Sequence, residues 1–294
     1  MSTATRVLAA LAGLAVVFGA AWWVGRSLDP FVTAAETHGH ARATDTAQHG
    51  DEGHGGSGQQ AGEHAAGGTG SAVTLAVGGR ELEPGPDAVV AFSLRGPDGA
   101  PLTTYDVKHE KRLHLVLLDT RTLVDYQHVH PQRTGPSSWS ARVPLTPGTT
   151  YKLFADGSTG GTGFVATAEV FTSGHHPPSP QLPAPARHAS VEGYDVALAT
   201  EDGAARLSVT RDGGPAALQP YLGALGHLVI VRVDDLAYLH VHPESGEAPT
   251  FRVGDLVPGR YRYFFDFRAD GRVHTAAFTV AVTSTGEGGH EHGH

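Results

Sequence analysis

Short runs of hydrophobic residues alternate with polar and turn residues over most of the chain from residue 72 to residue 283. Runs such as AVVAFSLR, HLVLLDT, YKLFAD and RYRYFFDF are rich in β-branched and aromatic residues, and the turn sequences PDG, TPG, VPG and ADG lie between such runs. No long segment shows the 3.6-residue period of an amphipathic helix. The pattern therefore predicts an all-β fold of short antiparallel strands.

The same region contains two copies of one sequence unit. Residues 113–131 can be laid over residues 226–243, because both segments contain an apolar run followed by Tyr-x-His-Val-His-Pro. The aromatic runs that follow match as well, and both contain an Asp. We therefore expect two tandem β-sandwiches of immunoglobulin-like or cupredoxin-like architecture, with the strand order left open. Their predicted bounds are residues 72–174 and 190–283.

The N-terminal segment is the longest uncharged apolar stretch of the chain. Residues 7–25 are bounded by Arg6 and Arg26 and are long enough to cross the hydrocarbon core of a membrane as a helix. We expect a signal anchor after a short head, residues 1–6, with everything after the anchor exported. A cleaved signal peptide is the alternative. The expected location is the cell membrane, crossed once, with the C-terminal domains outside the cytoplasm.

Three further segments lack the composition of a folded core. Residues 36–71 and 284–294 are rich in Gly and His with almost no large apolar side chain, which predicts a disordered stalk and a disordered tail. Residues 175–189 are rich in Pro and predict an extended linker. Because this linker separates the repeats, we expect residues 190–283 to fold alone.

The amino-acid composition limits the kinds of functional site that the chain can contain. The chain has no Cys, which excludes disulfides and thiolate metal sites, and its net charge of -9 makes a nucleic-acid partner unexpected. It has 19 His, whereas its one Met is Met1. This balance indicates metal binding by imidazole, or a response to pH, instead of soft thioether chemistry.

The His-Val-His-Pro motif carries the site prediction. Residues i and i+2 of a strand share a face, so the two histidines of each motif project together. A His that begins the preceding apolar strand can be the third ligand, and the Asp of the aromatic strand can be a fourth ligand or can orient an imidazole. Because Pro ends each motif, we expect two separate sites at solvent-accessible rims. The candidate ligands are His114, His128, His130 and Asp156 in the first repeat, and His227, His240, His242 and Asp266 in the second.

Imidazole with carboxylate favours Cu(II) first and Zn(II) second. Two alternatives remain: the motif has a structural role and was copied with the domain, or the clustered histidines form a pH switch. The chain lacks the G-x-S-x-G, Walker and H-E-x-x-H motifs, so we do not expect an enzyme.

The segments HLVLLDTRTLVDYQHVHP and GHLVIVRVDDLAYLHVHPE resemble a family of actinobacterial membrane-anchored secreted proteins that is labelled uncharacterised or heavy-metal-binding. The resemblance implies copper-handling sandwich modules of the cell envelope, with the motif histidines as ligands. The chain departs from that pattern in lacking a Met-rich loop. The expected function is therefore the binding or buffering of a divalent transition metal, copper first and then zinc. The alternative is a structural or protein-interaction module of the envelope whose partner is unknown.

Overall fold

The computed structural model describes residues 65–67, 72–178, 181–243 and 248–283 of the 294-residue chain. These residues form strands and turns only, so the all-β prediction is confirmed. The predicted head, the anchor at residues 7–25 and the tail at 284–294 lie outside the described residues. Among the residues that are described, no helix is long and apolar enough to cross a membrane.

The first repeat is a sandwich of two sheets. The first strand of the described residues, β1 (Ala65–Gly67), joins the second repeat. The first repeat comprises β2 (Thr74–Val77), β3 (Glu81–Leu82), β4 (Gly85–Arg95), β5 (Leu113–Asp119), β6 (Tyr126–Val129), β7 (Gln132–Arg133), β8 (Ser138–Leu145), β9 (Thr150–Thr159) and β10 (Thr162–Thr172). One sheet has the strand order β2-β4-β8-β7, and the other has the order β3-β10-β9-β5-β6.

The second repeat is built in the same way. Its strands are β11 (His188–Val191), β12 (Tyr194–Glu201), β13 (Ala204–Arg211), β14 (Gly214–Pro215), β15 (His227–Arg232), β16 (Tyr238–Val241), β17 (Thr250–Arg252), β18 (Gly259–Ala269) and β19 (Arg272–Val282). One sheet has the order β1-β16-β15-β18-β19, and the other has the order β11-β12-β13-β14 with β17 also pairing with β13.

The strand order places the repeats among immunoglobulin-like and fibronectin-like sandwiches. In both, the four strands that follow the order β6-β5-β9-β10, or β16-β15-β18-β19, lie in one layer, and the other layer is built on the paired strands β4 and β8, or β12 and β13. Alternate residues of each strand fill the space between the layers, as Leu113, Leu115 and Leu117 of β5 do. The internal repeat predicted from the sequence is thus confirmed as a repeat of structure.

The expected disorder of residues 36–71 is wrong for residues 65–67, the part of this segment that the structure describes. Ala65–Gly67 forms β1, which pairs antiparallel with β16 and places Ala65 opposite His240. The composition gave no sign of this strand because it has no large apolar side chain. Its backbone instead satisfies the hydrogen-bonding groups along the otherwise open edge of β16.

The two sandwiches pack against each other through the layers that contain the His-Val-His-Pro motifs. Every residue of β5 is buried. Its odd-numbered residues face the core of their own repeat, whereas Val116 and Leu118 join Val229 and Val231 of β15 in a separate hydrophobic cluster. The uninterrupted apolar run in each of these strands therefore reflects burial on both faces.

Aromatic rings repeat across this interface with approximate two-fold symmetry. Tyr126 of the first repeat stacks on Phe264 of the second, with ring centroids 4.0 Å apart, and Tyr238 of the second stacks on Phe154 of the first at 4.5 Å. The expectation that the Pro-rich linker isolates the repeats is therefore wrong for the folded protein. The independent folding of residues 190–283 stays a prediction. A second repeat that folded alone would expose the apolar face that packs on the first repeat.

Gly226 fits a position where a side chain has no room. Its φ is 135°, and a Cβ there would lie 2.5 Å from the Phe265 ring and 2.8 Å from the carbonyl oxygen of Asp266. We expect Gly226→Ala to lower the free energy of unfolding by about 2–4 kcal/mol in urea denaturation. Gly213→Ala is the matched control, since Gly213 also has a positive φ, 78°, but nothing lies within 4 Å of its Cβ position. Equal losses in both variants would contradict the packing argument.

Candidate metal centre

Each repeat brings three histidines together. The two groups are His114, His128 and His130, and His227, His240 and His242, and in each group the ligand atoms lie within 4.8 Å of one another. We call them the first and second triads. An ion bound at 2.0–2.1 Å requires nitrogen atoms roughly 3.3 Å apart, so shifts of about an ångström would close either triad on an ion.

The local structure of each motif explains the convergence. Strand pairing places His128 opposite Val116. His114 lies two residues before Val116 on β5, so its side chain is on the same face of the sheet. His130 follows β6 directly and lies on the same side as His128, as the i, i+2 rule predicts. The Nδ1 of His114 and the Nε2 of His128 are 3.1 Å apart and form a hydrogen bond that joins the two rings. The same registers recur in the second repeat, where His240 lies opposite Val229.

The triads are more enclosed than the expected solvent-accessible rims, because the repeats pack over them, and His130 and His242 at the ends of the motifs stay partly exposed. The His128 and His240 side chains are 2% and 1% exposed. Each motif does end its strand, but that strand end is covered by the other repeat. The two triads therefore face each other inside the interface, and the ring centroids of His114 and His240 are 5.0 Å apart.

The two aspartates contact histidines of the opposite repeat. His128 Nδ1–H donates to Oδ2 of Asp266 at 2.8 Å, and His240 Nδ1–H donates to Oδ2 of Asp156 at 2.9 Å. The sequence predicted that each Asp would serve its own repeat. Each Asp instead pairs in the sheet with the His that begins the apolar strand of its own repeat, as Asp156 does with His114. Its side chain reaches across the interface to the other repeat.

The surroundings of the two carboxylates differ. Asp266 accepts hydrogen bonds from His128, from Tyr126 at 3.1 Å and from Thr275 at 2.6 Å. Burial raises the pKa of Asp156 to about 7. A cation bound nearby would hold Asp156 in its ionised form, because an opposite charge favours the carboxylate.

The hydrogen bonds determine which ring nitrogens offer a lone pair. His128 and His240 donate from Nδ1 to carboxylates, and His227 donates from Nε2 to the carbonyl oxygen of Tyr221 at 3.1 Å. In the neutral form of such a ring, the opposite nitrogen is an acceptor. Within the described residues, five buried ring nitrogens of the triads have no hydrogen-bond partner: His114 Nε2, His130 Nε2, His227 Nδ1, His240 Nε2 and His242 Nε2.

Burial keeps these imidazoles neutral. It lowers the pKa of His130 to about 3 and that of His227 to about 4, with neighbouring histidines adding to the effect. It also lowers the pKa of His242, and it holds the pKa values of His114 and His240 well below the usual range. A neutral imidazole is the form that binds a metal ion, so these five histidines would not need to lose protons at neutral pH.

The sequence analysis missed two kinds of residue at this site. His109, in a turn where its φ is 47°, stacks on His242 with ring centroids 3.5 Å apart. No motif marks His109, because the contact crosses between repeats. Tyr126 and Tyr238 line the cluster two residues before each motif, and the alternation Tyr-x-His-x-His, present twice, was a usable sign of their shared face.

The remaining described histidines lie outside both triads. His175 and His188 are exposed. His176 lies in the linker with its Nδ1 2.6 Å from the carbonyl oxygen of Pro177. His274 is buried on the other side of its sheet, where its Nε2–H donates to the carbonyl oxygen of Ala269 at 3.2 Å.

Fold and site together define a class: a tandem immunoglobulin-like β-sandwich protein with two buried histidine triads, each of which could hold a metal ion. The chain belongs to the family described as "Domain of unknown function (DUF8832)", whose sequence model matches residues 65–174 and again residues 189–284. A search of curated proteins gives no match.

Similar solved structures come from varied proteins. The two fibronectin type III domain segment of chicken tenascin is 12% identical, with 70% of this chain and 99% of that chain covered and a TM-score of 0.22. The Escherichia coli adhesin FdeC is 12% identical, with 72% and 65% covered and a TM-score of 0.21. The fibronectin(III)-like modules of Clostridium thermocellum CbhA are 12% identical, with 75% and 100% covered and a TM-score of 0.19.

Proposed function

We propose that this protein binds or buffers a divalent transition metal, Cu(II) first and Zn(II) second, through the histidines of its two sandwiches. One observation carries the proposal: five buried, neutral ring nitrogens of the two triads lack a hydrogen-bond partner within the described residues. Leaving a buried polar atom without a partner costs about 1–3 kcal/mol each. A metal ion bound by these lone pairs would remove that cost.

The atoms around the triads support this role. A metal-bound imidazole usually donates its other N–H to a carboxylate or a carbonyl oxygen, and His128, His240 and His227 do so. Three imidazoles suit Cu(II), Zn(II) and Ni(II), with Cu(II) favoured by affinity order. We further propose that residues 7–25 anchor the chain in the cell membrane and that the sandwiches are extracytoplasmic.

The proposal is one of binding and not of catalysis. The triads lie in the tightly packed interface between the repeats, and the rings around them leave little space for an organic substrate. The competing function is a structural or protein-interaction module without metal. The observation that favours it is that the crossed imidazole–carboxylate pairs connect the repeats without an ion.

Calorimetric titration of Cu(II) and Zn(II) separates these functions. Metal binding by the sequence segments near the two chain ends must first be removed, so the parent for titration is the full chain with eight histidines changed to Gln. These are His38, His40, His49, His54, His64, His290, His292 and His294.

We expect this parent to bind ions with submicromolar affinity. The combined variant with all four motif histidines changed to Ala should lose that binding. The matched control changes His175 and His188, which are exposed, to Ala and should bind like the parent. No binding heat in the parent would contradict metal binding by the sandwiches and would favour the structural module. The combined variant carries the four substitutions His128→Ala, His130→Ala, His240→Ala and His242→Ala.

A further inference from the structure

We propose that the two triads form one dinuclear metal centre that belongs to the interface between the repeats, and not two independent sites. This inference rests on the proposed function, because it requires that the triads bind metal. It goes further in stating that the ions influence each other and that each repeat contributes to the binding of both.

The rings of the two triads lie almost as close to each other as the rings within one triad. Within the first triad, the ring centroids of His114 and His128 are 5.4 Å apart, and within the second, those of His227 and His240 are 5.7 Å apart. Across the triads, the centroid of His240 lies 5.0 Å from that of His114 and 5.1 Å from that of His128. The shortest distances within the triads are 4.6 Å, between His240 and His242, and 4.9 Å, between His114 and His130. The ring of His240 therefore lies almost as close to two histidines of the first triad as to those of its own.

The carboxylates link the triads as well. Asp266 fixes the orientation and the tautomer of His128 from across the interface, and Asp156 does the same for His240. An ion held by the histidines of one repeat would thus depend on a carboxylate of the other. Neither sandwich alone contains both its triad and the carboxylate that orients it.

Electrostatics predicts how two ions would behave in this centre. Two divalent ions carry four positive charges, and the two aspartates supply two negative charges. Charges held close together in a buried site interact strongly because little water screens them. We therefore expect the second ion to bind more weakly than the first, although each triad alone would bind an ion well.

The second triad is the more enclosed of the two. The His109 ring covers His242 as a stack. The equivalent turn position in the second repeat is Leu222, which has a similar φ of 54° but no ligating atom. The centre is therefore only approximately symmetric, and this gives a reason to test the triads separately.

The test uses the full chain with the eight histidines near its ends changed to Gln, titrated with Cu(II). One variant loses the first triad through His128→Ala and His130→Ala, and another loses the second through His240→Ala and His242→Ala. We expect two ions in the parent, with affinities that differ by at least about 10-fold, beyond the roughly 4-fold statistical factor for equal sites. Each variant should bind one ion about as tightly as the parent binds its first.

Electron paramagnetic resonance gives a readout that needs no variant. Two Cu(II) ions in one centre interact magnetically, so the loaded parent should give a broadened or diminished signal and a half-field transition. Each single-triad variant should give the signal of an isolated Cu(II) ion. Two isolated signals with equal affinities in the parent would overturn the dinuclear centre while leaving metal binding intact. A single ion per chain would also overturn it. No bound ion in the parent would overturn the proposed function itself.

The crossed carboxylates have their own matched test. In the variant that keeps only the first triad, Asp266→Asn should weaken Cu(II) binding about 10- to 100-fold, and Asp156→Asn should change it little. In the variant that keeps only the second triad, the two substitutions should exchange their effects. If each Asp instead weakened only the triad of its own repeat, the shared centre would be contradicted. Near-ultraviolet circular dichroism of every variant confirms that it is folded before titration.

Discussion

Replacing Phe264 by Ala is expected to lower the free energy of unfolding by about 3–5 kcal/mol, the usual loss for a fully buried Phe. Phe264 is 1% exposed, lies in the hydrophobic cluster shared by the repeats and stacks on Tyr126 with nearly parallel rings. Truncation would leave a cavity in the interface and remove this stack. Urea denaturation of the full chain, followed by circular dichroism, measures the loss.

Phe171→Ala is the control for this prediction. Phe171 lies in a strand of the first repeat but is 43% exposed, so its truncation should cost much less, about 1 kcal/mol or below. The comparison tests the interface specifically, because in a separated second repeat the Phe264 ring would lie on an exposed face. A loss at Phe264 no larger than that at Phe171 would mean that the interface contributes little to stability.

Zn(II) is expected to raise the melting temperature of the protein by roughly 10–20 °C when two ions bind at about 100 times their dissociation constants. Each bound ion then adds about 2.7 kcal/mol of stability, because it binds the folded chain. For a folded region of this size, 1 kcal/mol corresponds to about 2–4 °C. The measurement compares a thermal scan with Zn(II) and one with a chelator. Both use the full chain in which the eight histidines near its ends are changed to Gln.

The unpartnered ring nitrogens of the interface are the reason that an ion is expected to bind there. The buried ring nitrogens without partners make the metal-free protein less stable than its packing alone would allow. The variant without the four motif histidines should show no rise with Zn(II). Mg(II) and Ca(II) should have little effect on either protein, since they prefer oxygen ligands. An unchanged melting temperature with Zn(II) would count against metal binding at the triads.

The local pattern of the chain determined much of the fold. Alternation in runs such as AVVAFSLR predicts strands because a pleated strand presents successive side chains to opposite faces. The repeat was visible because both copies keep their apolar runs and their motifs in the same order. The same i, i+2 argument placed His128 beside His130, and the structure agrees.

Other features depended on contacts that no local pattern contains. The strand Ala65–Gly67 forms because the edge of β16 supplies its hydrogen bonds, so composition alone predicted disorder there. His109 was not identified because the ring it contacts, that of His242, belongs to the other repeat and is far away along the chain. A turn residue shows no periodicity that would indicate which distant side chain it contacts.

The sequence by itself determined the class of fold, the duplication and the histidines that share a strand face, because these follow from periodicity within a few residues. Only the tertiary structure decided that the triads are buried against each other and that Asp156 and Asp266 exchange partners. The apolar run of β5 indicates burial on both faces but not what covers the second face. That choice depends on the docking of two complete sandwiches, whose contacts join residues 84 to 140 positions apart.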